Sequence, residues 1–275
     1  MKTITIWTQK GGVGKTALAC QLAHYAHAKR GQRVVLIDYD SQGNGAAALR
    51  RAEKAVALTA DTASLLMNSD PDLGACDAPF AVTKATPVLD KVPELTAETN
   101  QFHANLRANL TRLAPHFDLC LIDCPPSADT RVMLALWVSD FVLSPIQLNQ
   151  EAIEGLANTV TGPRGILRFQ KMLNPNLRFL GVLLNMVEAT PLQKQNYDEL
   201  IRSGFGRYLV ADADGRPCRV LKRMSIAEAQ ALGLPLWELG RQKTAAREAW
   251  AEMEPVFERV MELVGIESAE VAHGA

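Results

Sequence analysis

The chain has 275 residues, of which 48 % are hydrophobic and 21 % charged, with a formal net charge of −1. A chain of that length can bury roughly three quarters of its unfolded surface and needs no disulfide or structural metal. The charge balance excludes a globally basic nucleic-acid binder, so any such contact must come from a local patch. The five cysteines are odd in number and form no CxxC pair, which reads as reduced thiols in a cytoplasmic protein. No apolar run approaches the ~18 residues of a membrane span, and the N-terminus enters a strand-like pattern without a signal-peptide core.

In chain order, residues 3–8 (TITIWT) are short, β-branched and apolar, and predict a first strand. After a glycine loop, residues 16–30 carry Leu18, Leu22 and Tyr25 at helical spacing, and Gly31 can end that helix in a left-handed conformation. Residues 33–40 (RVVLIDYD) form a buried-strand run ending in carboxylates. Residues 68–104 contain Pro71, Pro79, Pro87 and Pro93 and have weak periodicity; they predict an irregular excursion with one short strand or helix. Residues 118–123 (DLCLID), 140–146 (DFVLSPI) and 178–186 (RFLGVLLNM) repeat the buried-strand pattern. Near the end, Trp250, Met253, Phe257, Val260 and Val264 make one helical stripe, which Pro255 should kink or restart. Residues 267–275 are expected to be a disordered tail.

Strands alternating with helices, and apolar throughout, predict an α/β fold: one doubly wound, mostly parallel sheet with helices on both faces. We expect a single domain over 1–266.

Lys10-Gly11-Gly12-Val13-Gly14-Lys15-Thr16 stands between the first strand and the first helix, the setting in which a phosphate-binding loop is credible. Glycines let backbone N–H groups turn inward around phosphate oxygens, and the helix N-terminus adds free donors. Gly11, Gly12, Val13, Gly14, Lys15, Thr16 and Ala17 are the expected nucleotide-binding stretch, which makes the 1–266 domain a P-loop NTPase by expectation. Lys15 would reach the β/γ-phosphates, and the Thr16 hydroxyl would ligate Mg²⁺.

The GxxxxGK[ST] pattern calls for glycine at position 9, where this chain has Gln9, followed by a second lysine, Lys10. This form resembles the deviant Walker A box of the ParA/MinD superfamily and is closest to the short ParA-type partition ATPases. The resemblance implies ATP and Mg²⁺ as cofactors and a homodimer formed with ATP, in which Lys10 acts on the partner's nucleotide. A solvated lysine at the loop mouth is the bland alternative. Residues 35–44 (VLIDYDSQGN) are similar to the family's second box, with Ser41 in place of its usual proline. That implies Asp40 as the residue that orients the attacking water and Asp38 as a support for its loop. Residues 119–127 (LCLIDCPPS) resemble Walker B, making Asp123 the second Mg²⁺ ligand. Asn185 is either an adenine contact by analogy or a loop-capping asparagine. Further resemblance runs through 144–156, 181–186 and 223–239, so that only 68–104 lacks family wording.

The family implies sequence-independent DNA binding when ATP is bound, association with the nucleoid, and a ParB-like partner that stimulates slow hydrolysis. Residues 200–250 hold nine basic against five acidic side chains. Lys194, Arg219, Lys222, Arg223, Arg241, Lys243 and Arg247 are the candidate DNA contacts, and Arg223 stands where family members touch DNA. A MinD-like membrane role would need a basic amphipathic last helix. This one carries Glu248, Glu252, Glu254, Glu258 and Glu262 against Arg247 and Arg259. An ATP-dependent amide-forming synthetase of the same superfamily is the biosynthetic alternative, and no substrate motif supports it. His24 and His27, three apart on the first helix, read as packing residues and not as a metal pair.

Overall fold

The apolar runs become the centre of a parallel sheet, and three further short strands extend it. The computed structural model describes residues 1–51, 53–74 and 76–266, so the expected tail of 267–275 lies outside the described residues. The strands are β1 (Lys2–Ile6), β2 (Val34–Asp38), β3 (Val56–Ala57), β4 (Phe80–Thr83), β5 (Leu119–Asp123), β6 (Phe141–Ile146), β7 (Arg178–Val187) and β8 (Arg219–Leu221). They lie in the order β3-β4-β2-β5-β1-β6-β7-β8, every neighbouring pair parallel.

Side-chain alternation explains why the central strands carry apolar residues on both faces. Val34 and Leu36 of β2 enter one core with Ile4, Leu121 and the helices Lys15–Ala28 and Thr244–Val264. Val35 and Ile37 enter the opposite core with Cys120, Ile122 and the helices Thr62–Met67, Thr99–Leu113 and Thr130–Val138. A smaller cluster of Ile146, Val182, Leu184 and Leu200 closes the β7 end. All five cysteines are free and buried. Among the described residues no helix is long and apolar enough to cross a membrane.

Two expectations change. The 68–104 stretch delivers β4 into the body of the sheet, between β3 and β2, and then makes two 3-10 turns, Pro87–Lys91 and Thr96–Glu98. Pro255 neither starts nor ends a helix, because Thr244–Val264 runs through it. Trp250, Met253, Phe257 and Val260 are all buried there, and that packing outweighs the backbone bond the proline removes.

His24 and His27 both pack against the Phe80 ring. His24 meets Phe80 and Trp237 edge-on, at ring-centroid distances of 5.5 and 6.4 Å. Burial, aided by the nearby Lys54 and His27 charges, pushes its imidazole down to about 4. An unfolded histidine titrates near 6.5, so the folded chain must stay neutral at a position the unfolded chain protonates. The associated stability is complete above about pH 6.5 and is lost as pH falls towards 4, to a total on the order of 3 kcal/mol. We therefore expect His24→Gln to lose less thermal stability than the wild type between pH 7 and pH 4.5. Parallel Tm–pH curves would remove His24 from the acid response.

Candidate active site

The site is built where β1 leaves the sheet centre, since strand order places β1 between β5 and β6 and ligands bind at the carboxyl ends of such strands. Register sets Asp38 of β2 beside Asp123 of β5, and Asp123 beside Ile6, the last residue of β1. Two carboxylates thus stand directly under the loop that begins a few residues after β1.

That loop is a cradle closed by its own lysine. The Lys15 Nζ donates to the Lys10 carbonyl at 2.9 Å, spanning the turn. Burial lowers the Lys15 ammonium from its ordinary value, opposed by the charges of Asp123, Cys124 and Asp40. Gly14 has φ +80°, and a Cβ there would meet the Asn185 Nδ2 at 2.7 Å, so only glycine fits. Its helix, Lys15–Ala28, has no side-chain N-cap and no acidic residue in its first turn. The free N–H groups and positive dipole end are therefore left for an anion.

A cavity of about 520 Å³ opens over this cradle. Gly11, Gly12, Gly14, Lys15, Thr16, Ala17, Asp40 and Asn185 line it. Val13 is buried, and its carbonyl accepts a hydrogen bond from the Asn185 amide at 2.7 Å. Asn185 therefore supports the loop from β7 as well as lining the cavity. Sequence reasoning missed the apolar end of the cavity, formed by Met186, Leu221, Ile226 and Met253. Those side chains gather only through folding, from four separate elements.

Asp38 and Asp123 do different work. Asp38 is fully buried and accepts the Ala46 N–H at 2.9 Å and the Asp40 N–H at 3.2 Å, holding the turn between β2 and the helix Asn44–Arg51. Burial raises its carboxyl despite those bonds. Burial also raises Asp123, and the neighbouring Asp38 adds to the effect, with Thr16 and Lys15 pulling the other way. Neither oxygen of Asp123 has a well-formed hydrogen bond among the described residues. A buried, unsatisfied carboxylate is costly unless a ligand completes it. With the Thr16 hydroxyl beside it, the pair offers hard oxygen donors that suit Mg²⁺. Gly45 passes close above, where a Cβ would stand 3.1 Å from an Asp38 oxygen and 3.4 Å from an Asp123 oxygen.

Asp40 sits beyond the end of β2, partly exposed, with one oxygen accepting the Gln42 N–H at 3.1 Å. Lys10 turns away from the cradle and pairs with Glu151 on the helix Gln150–Val160. Gln9, the residue that replaces the usual glycine, donates from its side chain to the Asn158 carbonyl of the same helix at 3.1 Å. No local motif signals either partner.

The candidate DNA contacts differ in their partners. Lys222 and Arg223 lie at the cavity rim, Lys222 pairing with Glu188 at 3.2 Å and Arg223 with Glu252. Lys243 pairs with Glu228. Lys194, Arg219, Arg241 and Arg247 are exposed and carry no ion pair among the described residues.

Comparison with known proteins now decides the family. A family described as "AAA domain" matches residues 1–179. Protein IncC of Escherichia coli is 32 % identical over 264 residues, covering 94 % of this chain and 69 % of that protein. The chain belongs to the ParA-type partition ATPases. The chromosome-partitioning ATPase Soj of Thermus thermophilus is 33 % identical, over 75 % of this chain and 78 % of its own. Among solved structures, apo McdA of Cyanothece superposes with a TM-score of 0.74 at 22 % identity, covering 96 % of this chain and all of that one. Cobyrinic acid a,c-diamide synthase of Mycobacterium smegmatis, with an ATP analogue and magnesium bound, gives 0.65 at 22 % identity, covering 89 % and 97 %. The last two establish the fold alone, which partition and amide-forming proteins share. The family membership comes from the sequence relatives.

Proposed function

We propose that this partition ATPase is an ATP-driven dimerisation switch that positions DNA, with hydrolysis stimulated by a ParB-like partner. The observation that carries the proposal is the pair of loop lysines, one committed inward and one directed outward. Lys15 is buried against its own loop, whereas Lys10 is on the rim and engages only an exposed carboxylate. A cation placed at the rim can serve a second molecule's nucleotide, as an arginine finger supplied in trans does.

In this mechanism the loop amides and Lys15 hold the β- and γ-phosphates of ATP, and Thr16 with Asp123 would hold Mg²⁺. The ion supplies charge neutralisation at the phosphates. Asp38 keeps the 40–45 turn in place, and Asp40 orients a water for in-line attack. Lys10 leaves Glu151 and neutralises charge on the partner's transferred phosphoryl group. The apolar end of the cavity, with Asn185 beside it, takes the adenine. A membrane-anchored alternative finds no support in the last described helix, because its apolar stripe is buried in the core.

DNA affinity then follows from pairing two modest basic surfaces. The ion pairs of Lys222, Arg223 and Lys243 are exposed or half-exposed and so cost little to exchange for phosphate contacts. The test is a gel shift on random duplex DNA with ATP and with ADP, at several salt concentrations. Retention is expected with ATP only, weakening severalfold for each doubling of salt. Lys10→Ala should still bind nucleotide, yet neither dimerise nor retain DNA. Equal retention in ATP and ADP would sink the switch.

A further inference from the structure

The segment that follows Asp123 forms a wall of the cavity beside the phosphate loop. Pro126 lines the cavity, and a Cβ on Gly11 would stand 3.9 Å from the Pro126 ring. The near end of this segment is fixed by β5. Its far end is held by contacts from outside the sheet. The Trp7 indole donates to the Ser127 carbonyl at 2.9 Å, and Arg164 donates to the Ala128 carbonyl at 3.2 Å. Asp129 N-caps the helix Thr130–Val138 by accepting the Arg131 N–H at 2.9 Å.

Arg131 then folds back on that cap. Its Nε lies 3.1 Å and its Nη2 2.6 Å from Asp129 Oδ2, and its Nη1 donates to Asp90 Oδ1 at 3.0 Å. The Arg131 side chain is only 11 % exposed, against 58 % for Asp90. Burial pushes the Asp129 carboxyl up, and the bonds from Arg131 more than reverse this, leaving it below the usual range. Asp90 belongs to the 3-10 turn Pro87–Lys91, whose Leu89 is fully buried, so the anchor is rigid. The guanidinium thus ties the end of the 124–129 segment to a turn of the excursion that carries no family wording.

We infer that Arg131 is a positioning residue for ATP hydrolysis: bridging Asp129 and Asp90, it fixes the 124–129 wall against the 87–91 turn. It touches no reacting atom. Its effect passes through Pro126 and through Asp123 at the head of the same segment, where small displacements from in-line geometry are expensive. The inference rests on the reading of the chain as an ATPase. It gives the proline-rich excursion a task, as the abutment for the catalytic wall.

The experiment is steady-state ATP turnover by the full chain, with ATP KM and Tm measured alongside, for the wild type, Asp90→Ala, Asp90→Glu, Arg131→Gln and Lys15→Ala. Asp90→Ala and Arg131→Gln should lower kcat about tenfold with KM changed less than about twofold, since the phosphate cradle is untouched. Asp90→Glu, which keeps the carboxylate, should recover most of the lost kcat. Should Arg131→Gln fold poorly, Asp90→Ala still decides, because it removes only the exposed arm of the bridge. A wild-type kcat in Asp90→Ala overturns the inference, as does a loss confined to Tm. A wild type that turns over no more ATP than Lys15→Ala overturns the ATPase reading itself, a separate and recognisable result.

Discussion

Lys15→Ala should abolish ATP turnover and weaken ATP binding by a factor of about a hundred or more, the range expected for deleting a preorganised charge at a transferred phosphoryl group. Three observations set that magnitude. The ammonium is held in place before any ligand arrives, by its 2.9 Å bond to the Lys10 carbonyl. It is buried, so its field is weakly screened, and burial already lowers its affinity for a proton. A phosphate reverses that penalty by supplying the missing counter-charge. Lys10 cannot substitute, because it lies on the rim against Glu151. Isothermal titration with ATP and Mg²⁺, beside a phosphate-release assay, checks both halves. Turnover within tenfold of wild type would show that the loop amides alone suffice and that the lysine has been misassigned.

The extent to which this site was legible in the sequence depends on distance along the chain. The phosphate loop, the two strand-end aspartates and Asp40 were readable because each lies within a few residues of an apolar run that fixes its place. β2 and β5 bring Asp38 and Asp123 abreast, as parallel pairing of two runs ending in carboxylates requires. The central strands were readable for the same reason, since burial on both faces leaves few polar positions to confuse the pattern. β3, β4 and β8 were not legible, being only two to four residues long. A run that short has no periodicity, and β4 is ordered by its neighbours β2 and β3 more than by its own residues. Glu151, Gln9's helix partner, Asp90 and Arg131 were hidden for a further reason. Each contact joins residues 41 to 149 positions apart, and no local rule carries that information.

Asp38 and Asp40 are two residues apart, and their substitutions should separate folding from chemistry. Asp38 is buried and its oxygens accept two backbone N–H groups, so Asp38→Ala leaves those donors unpaired and should destabilise the chain by roughly 2–4 kcal/mol. Asp40 is partly exposed and accepts one exposed amide, that of Gln42, which water can serve equally well. Asp40→Ala should therefore keep its fold and its phosphate cradle intact. In the proposed mechanism it loses the carboxylate that orients a water at the cavity edge, a role typically worth 10²–10⁴-fold, so turnover should fall at least about a hundredfold. ATP stays bound under those conditions, and with Lys10 still present to cross to a second molecule, the ATP-bound dimer should accumulate. Light scattering coupled to size exclusion, run with ATP and Mg²⁺, should find the variant mainly dimeric where the wild type is a mixture. If Asp40→Ala binds ATP yet elutes only as monomer, dimerisation does not wait on the uncleaved nucleotide. Asp40 would then belong to assembly and not to the attacking water.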